Sequence, residues 1–236
     1  RHVHLQGCID ATSAKTSAKR EPSLATTARS KPSTPRGGAL RTQQSIIEAA
    51  IHEFSMKGFE GARVDEIALR AGVNKNLLYH HFGNKDGLFV AVLTHTYENI
   101  RSRQKDIQLR TLDPEAGMRR LVISTGKIWV QFPEFQRLLM SENLAGGRHV
   151  LGEPRISDLY NPLLDTIEQL LVRGREAGVF RDDIDPIDLY ISITSLTAHY
   201  VNNQHTFEAI FKQKLMTPQR VKQRLEHAAE MILRYL

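Results

Sequence analysis

Three segments of this sequence share one helix-start pattern, a capping residue followed directly by proline. Proline at the first helical position loses no hydrogen bond that the helix needs, and the side chain before it can accept from free backbone N–H groups. Elsewhere apolar residues recur every three to four positions, and no stretch alternates convincingly as a strand does. The sequence therefore predicts an all-α protein of about nine helices. The three patterned helices extend over about 114–131, 186–206 and 218–235, after Asp113-Pro114, Asp185-Pro186 and Thr217-Pro218.

The net charge of +6 comes entirely from the N-terminal end. Residues 1–41 carry eight Lys and Arg against two acidic residues, whereas residues 42–236 carry 24 of each sign. Residues 1–40 are also poor in large apolar side chains, so burial cannot offset their ordering entropy. We predict a disordered basic arm over 1–40 that contacts a polyanion, nucleic acid first. A solubilising or cloning-derived tail is the alternative.

Composition also excludes several classes of protein. The sequence has no apolar run long enough for a transmembrane helix, one Cys cannot form an internal disulfide, and no apolar signal-peptide core is present, so we expect a cytoplasmic protein without a membrane partner. His2, His4 and Cys8 fit a cloning remnant better than a metal site, and we expect neither metal nor cofactor. Metalloprotease, nucleophile-elbow and phosphate-loop motifs are missing, which argues against an enzyme.

The stretch from Gly58 to Leu88 carries the functional signal. A short apolar stripe, the turn Ala71-Gly72-Val73 and a second short helix predict a helix-turn-helix. In such proteins the N-terminal end of the second helix meets base edges in the major groove, where Asn can pair with adenine and Lys with guanine. The residues expected to project there are polar or cationic: Asn74, Lys75, Asn76, Tyr79 and His80.

This stretch resembles the DNA-binding domain of the tetracycline-repressor family of bacterial transcriptional regulators. The resemblance spans about residues 42–95 and rests on Gly58-Phe59, Val64-Asp65-Glu66-Ile67-Ala68, Ala71-Gly72-Val73, Leu78-Tyr79-His80-His81-Phe82, Lys85 and Leu88, in that order and spacing. It implies that Tyr79 and His80 contact DNA and that Lys85, at a helix N-terminus, binds phosphate. Arg63 departs from the family's usual Thr or Ser. The full predicted DNA-binding set is Arg41, Thr42, Arg63, Val64, Asn74, Lys75, Asn76, Tyr79, His80 and Lys85.

The resemblance further implies a helix-turn-helix domain over 41–88 and a helical domain over 89–236 that binds an effector and dimerises. Apolar stripes on the last two long helices favour a two-fold homodimer, with burial inside the monomer as the alternative. A dimer reads two half-sites about 34–36 Å apart, which predicts a palindromic operator in double-stranded DNA. The predicted dimer residues are Ile193, Leu196, Tyr200, Val221, Leu225, Ala228 and Ile232.

The predicted effector site is an apolar cavity with a few orienting polar groups. Its residues are Trp129, Phe132, Phe135, Leu139, Glu142, Asn143, His199 and Asn203, and for each of them ordinary core packing or a surface position is the alternative. The sequence thus predicts a homodimeric repressor that is nucleoid-associated when bound to DNA and is released by a small-molecule effector. An adaptor that kept the fold and lost DNA binding is the competing function.

Overall fold

The computed structural model describes residues 35–105, 109 and 111–236, and in these residues every regular element is a helix. The predicted all-α class is therefore confirmed. None of the described helices is long and apolar enough to cross a bilayer. The helices are α1 (Pro35–Gly61), α2 (Val64–Ala71), α3 (Lys75–Phe82), α4 (Lys85–Lys105), α5 (Pro114–Gln131), α6 (Pro133–Leu144), α7 (Arg148–Leu151), α8 (Pro154–Asp158), α9 (Asn161–Glu176), α10 (Pro186–Asn202), α11 (Gln204–Phe211) and α12 (Pro218–Tyr235).

The helix starts at α5, α10 and α12 lie where the sequence places them. The carboxylate of Asp113 accepts a hydrogen bond from the N–H of Ala116 at 3.0 Å, and that of Asp185 accepts two at 2.8 Å. The Thr217 hydroxyl accepts from the third residue of α12 in the same way. Each cap satisfies N–H groups that have no partner inside the helix, which explains why these boundaries can be read locally.

The described part of the chain contains twelve helices rather than about nine. Two of the additional helices, α7 and α8, have four and five residues, too few for a periodic apolar pattern. The third arises because the predicted helix over 186–206 is interrupted at Asn203. The Asn203 amide donates back to the carbonyl of His199 at 2.9 Å, a local bond that competes with continuation of the helix.

The helix bounds bear on two of the predicted domain boundaries. Most of the predicted arm, residues 1–34, lies outside the described residues, but residues 35–40 belong to α1. The predicted boundary between 88 and 89 falls inside α4, which begins directly after the helix-turn-helix and continues as one helix into the helical body. Residues 35–236 cluster as a single unit.

Two hydrophobic clusters form the core. The first joins α1–α4 to α5, α6, α8 and α10, so that Phe54 and Phe89 belong to the same cluster as Phe135 and Leu138 of the body. The second lies among α5, α9, α10 and α12. Because the first cluster continues from the helix-turn-helix into the body, any displacement of the one relative to the other must repack buried side chains.

The apolar stripes predicted to form the dimer interface are largely core. Ile193 and Ala228 are fully buried, Ile232 is 3% exposed, and Leu225 is 4% exposed within the single chain. The physical reason is that α12 packs on α5, where Gly126 leaves room for the Leu225 side chain. These four residues are therefore not available to a partner subunit. Leu196, Tyr200 and Val221 remain partly exposed.

Candidate DNA-binding interface and effector region

The helix-turn-helix is formed by α2 and α3. Gly72 ends α2 in the left-handed region, at φ 68° and ψ 29°, a conformation that glycine adopts without steric penalty. The Asn74 side chain then caps α3 by accepting from the N–H of Leu77 at 2.7 Å. Leu78 is fully buried against the rest of the domain. With Leu78 facing inward, the opposite face of α3 points to solvent.

The outward face of α3 carries the polar residues that the sequence predicts there. Lys75, Asn76, Tyr79 and His80 are all exposed. The Lys75 ammonium forms an ion pair with Asp65 of α2 at 2.9 Å and lies 5.9 Å from the centre of the Tyr79 ring. The hydrogen bond with Lys75 lowers the pKa of Asp65, and the same bond raises that of Lys75. A phosphate or base that binds Lys75 must therefore compete with Asp65.

Other members of the predicted DNA-binding set are placed differently. Val64 is a correction: its side chain is 8% exposed and packs in the core, since it occupies the apolar stripe of α2. The Asn74 carboxamide oxygen is occupied by the α3 cap, although the residue is exposed. Arg41 and Arg63 are exposed, and Thr42, partly exposed, donates its hydroxyl to the carbonyl of Gly38.

Lys85 stands at the first position of α4. Its ammonium donates to the carbonyl of Glu60 at 3.3 Å and lies 4.8 Å from the centre of the Phe59 ring. The side chain of Asn84 caps this end of α4 by accepting from the N–H of Gly87 at 2.8 Å. A helix N-terminus with a lysine at its first position has the donors and the positive potential that a phosphate requires.

A buried carboxylate, Glu53 of α1, supports the loop before α2. Its Oε1 accepts from the Lys57 ammonium at 2.8 Å and from the backbone N–H of Arg63 at 3.2 Å. Burial by itself raises the pKa of Glu53, but the bonds from Lys57 and Arg63 outweigh it, and the pKa lies below the ordinary 4.5. The charged form of Glu53 therefore fixes the backbone position of exposed Arg63.

The residues predicted for the effector site are divided among three places. Trp129 and Phe135 are buried and stack with centroids 5.6 Å apart, and Phe132 and Leu139 pack against the same cluster. Near this group, Glu142 is buried in contact with α7, whereas Asn143 is exposed and donates to the carbonyl of Leu139.

The third place is the C-terminal end of α10. Here His199 and Asn203 lie 3.1 Å apart through their side-chain nitrogens. His199 lines an open cavity of about 650 Å³ together with Phe207 of α11 and Arg224 of α12, among others. The predicted apolar residues Trp129, Phe132, Phe135 and Leu139 do not line this cavity.

Comparison with known proteins identifies the family. A family model described as bacterial regulatory proteins of the tetR family matches residues 46–92, and one described as a tetracyclin repressor-like C-terminal domain matches residues 114–232. The HTH-type transcriptional repressor NicS of Pseudomonas putida is 32% identical over 198 residues, which cover 84% of this chain and 93% of NicS. The chain belongs to the tetracycline-repressor family.

Other similar proteins agree with this membership. The HTH-type transcriptional regulator RutR of Escherichia coli K12 is 27% identical over 191 residues, 81% of this chain and 88% of RutR. The structure of the regulator FadR from Bacillus subtilis, in complex with stearoyl-CoA, has the same fold at a TM-score of 0.58 and 18% identity, over 82% of this chain and 98% of FadR. NicS and RutR are transcriptional regulators, so membership makes this chain a DNA-binding regulator with a helix-turn-helix.

The body of this tetracycline-repressor family chain holds a buried cation that the sequence reasoning missed. Arg101 of α4 is 5% exposed, its guanidinium lies 3.9 Å from the centre of the Tyr160 ring, and it donates to the hydroxyl of Tyr190 at 3.2 Å. Tyr97, one turn earlier on α4, contacts Tyr160 and Phe135 edge to face. Burial raises the pKa of both Tyr97 and Tyr190. The only hint of this cluster in the sequence is that Tyr97 and Arg101 lie four residues apart, which places them on one face of a helix.

Two buried polar atoms on α5 accompany this cluster. The hydroxyl of Thr125 and the indole N–H of Trp129 are one helical turn apart, and within the described residues neither has a hydrogen-bond partner. Thr125 is 1% exposed and Trp129 is 8% exposed. Native proteins leave few such atoms unsatisfied, so each calls for a partner that the described residues do not supply.

Proposed function

We propose that the chain is a homodimeric repressor that binds a palindromic operator through α3 and leaves it when a small molecule binds in the helical body. The observation that carries the proposal is the face of α3 with exposed Lys75, Asn76, Tyr79 and His80, backed by buried Leu78. Such a face can enter the major groove with its polar side chains toward the base edges. A regulator of this kind acts in the cytoplasm, where bacterial DNA lies.

The proposed dimer uses the outer faces of α10 and α12 instead of their buried stripes. Ile187 and Ile191, one turn apart on α10, are 55% and 54% exposed. Met231 and Tyr235, one turn apart on α12, are 44% and 53% exposed. The two helices pack against each other, and these four side chains lie on their exposed faces. Two copies related by a two-fold axis can cover them in a four-helix interface.

The proposed effector region lies around Thr125 and Trp129, next to the Arg101 cluster. A ligand with polar groups can supply the partners that the Thr125 hydroxyl and the Trp129 N–H lack among the described residues. The relative FadR of Bacillus subtilis, a fold match, was solved with stearoyl-CoA, which supports ligand binding by this architecture. The effector releases DNA only if it binds the DNA-free conformation more tightly.

Operator binding is tested by adding purified protein to sheared genomic DNA at two salt concentrations and sequencing the retained fragments. We expect a palindromic site that survives the higher salt. Lys75→Ala should weaken binding to it, whereas the matched control Lys127→Ala, an exposed lysine of α5, should not. Binding that is uniform over sequence and vanishes with salt would contradict the proposal and favour the adaptor function.

Effector binding has a site-specific reporter, because Trp129 is the only tryptophan in the chain. Compounds that release the protein from its operator should also change the Trp129 fluorescence, and the Trp129→Phe variant shows that the signal comes from this ring. Release without a fluorescence change would place the effector elsewhere. The dimer is tested by sedimentation, where Met231→Glu should dissociate it and the control Leu144→Glu, at a residue 90% exposed on α6, should not.

A further inference from the structure

A buried histidine lies where the helix-turn-helix meets the body. The Nδ1 atom of His149, on α7, is 2.6 Å from Oε2 of Glu142, and its Nε2 atom is 3.2 Å from Oδ1 of Asp86. The ring also packs against Phe59 and Phe89, with centroids 4.7 and 4.9 Å away. His149 is 6% exposed. One side chain thus joins α6 and α7 of the body to α1 and α4 of the DNA-binding part.

The two contacts depend on which ring nitrogens carry a proton. Both neighbours of the ring are carboxylates, which accept hydrogen bonds. The other oxygen of Glu142 accepts from the backbone N–H groups of His149 and Val150, at 2.7 and 3.0 Å. A ring with a proton on each nitrogen can donate to both carboxylates at once, whereas a ring with a single proton can donate to only one.

Charged groups lie around His149 on several elements. They come from α1, α4, α6 and the segment of α7 and its flanks, and acidic groups outnumber permanently positive ones. The acids are Glu60, Asp86, Glu142 and Glu153, and the cations are Lys85 and Arg148.

Asp86 connects this histidine to DNA binding. It lies in the first turn of α4, directly after Lys85, the predicted phosphate contact. A bare carboxylate at this position repels a phosphate that approaches the helix N-terminus. His149 at 3.2 Å and Arg148 at 3.8 Å offset the charge of Asp86 and attach this turn to α7.

We propose that protonated His149 is a positioning residue for operator binding, which holds the first turn of α4 in place and offsets the charge of Asp86 next to the phosphate site. This inference rests on the proposed function. When the ring loses one proton it can donate to only one carboxylate. The Asp86 contact, the longer of the two, is then released, and operator affinity falls as the pH rises.

The test measures operator affinity at about pH 6 and about pH 8, on either side of the range in which histidine ordinarily titrates, at constant ionic strength. For the wild type we expect affinity to fall about five- to tenfold between them, at the lower end of typical couplings between linked sites. His149→Gln and Asp86→Asn should both lose most of this dependence. The matched control His95→Gln should retain it. His95 lies on α4, as Asp86 does, and its ring contacts the side chain of Asn99.

Asp86→Asn keeps the test valid if the buried His149→Gln fails to fold, because the Asp86 side chain is 58% exposed. An unchanged pH profile in Asp86→Asn, or equal loss of the dependence in His95→Gln, would overturn the inference while the regulator function stands. Failure of the wild type to bind any operator at either pH would instead contradict the proposed function.

Discussion

Replacement of Gly126 by alanine tests whether the apolar stripe of α12 is core. Gly126 is buried in the middle of α5, and an added Cβ there lies 2.2 Å from Cδ2 of Leu225 and 3.2 Å from Cγ2 of Thr197. Ordinary contacts of this kind start near 3.4 Å. The Leu225 side chain, which is 4% exposed, must move by more than an ångström into a packed surrounding.

The expected magnitudes follow from opposing effects. Alanine gains about 1 kcal/mol over glycine in helix propensity. Overpacking against Leu225 costs about 1–3 kcal/mol, so Gly126→Ala should lower the free energy of unfolding by about 1 kcal/mol. Leu225→Ala alone should lower it by about 2–5 kcal/mol. In the double variant the new Cβ occupies space that Leu225 vacates, so the combined loss should be smaller than the sum by about 0.5–3 kcal/mol.

The assay is urea unfolding of the four proteins in this cycle at several protein concentrations, since dimerisation adds a concentration-dependent contribution to stability. Leu144→Ala is the matched control, because Leu144 is 90% exposed and its loss should change stability by less than about 0.5 kcal/mol. If the two single effects add, or if Leu225→Ala behaves as Leu144→Ala does, then Leu225 does not pack on Gly126 and the reassignment of the stripe to the core is refuted.

Three further predictions concern single side chains. Asp65→Asn removes the ion pair of Lys75. Titrations over a salt series should then show a higher operator affinity and a salt slope that is steeper by about one phosphate contact. Glu53→Gln should lower the free energy of unfolding at neutral pH. Because the folded-state pKa of Glu53 lies below 4.5, its contribution is lost as the pH falls through that pKa. Urea unfolding at several pH values should therefore show the difference between variant and wild type shrinking toward low pH. Thr217→Ala should lose about 1 kcal/mol in the same assay, because it removes the α12 cap.

Local signals in the sequence predicted the fold well. The predicted caps at Asp113, Asp185 and Thr217 depend on residues at most three positions apart. The exposed face of α3 followed from the same kind of reasoning, because a short amphipathic helix has only one side to bury. Short-range chemistry therefore determined the helix boundaries and the outward residues of the candidate interface.

The features that the sequence did not predict correctly depend on tertiary contacts. An apolar stripe such as Ile193 or Leu225 looks the same whether it faces its own chain or a partner, and only the packing of α12 on α5 distinguishes the two. Val64 was taken for a DNA contact from its position alone, yet it completes the apolar face of α2. Arg101 and His149 draw their importance from residues 89 and 63 positions away, which no periodicity reveals.

The continuity of the core restricts how the proposed release of DNA by an effector can work. One hydrophobic cluster contains Phe89 of α4 beside the DNA-binding helices and Trp129 and Phe135 of the proposed effector region. Packed clusters of this kind change between discrete arrangements and do not deform gradually. Because α4 is a single helix that begins at Lys85 and carries Arg101 into the body, a ligand that repacks the rings near Trp129 must act on the helix that positions the predicted phosphate contact. The coupling then needs no flexible hinge between two domains.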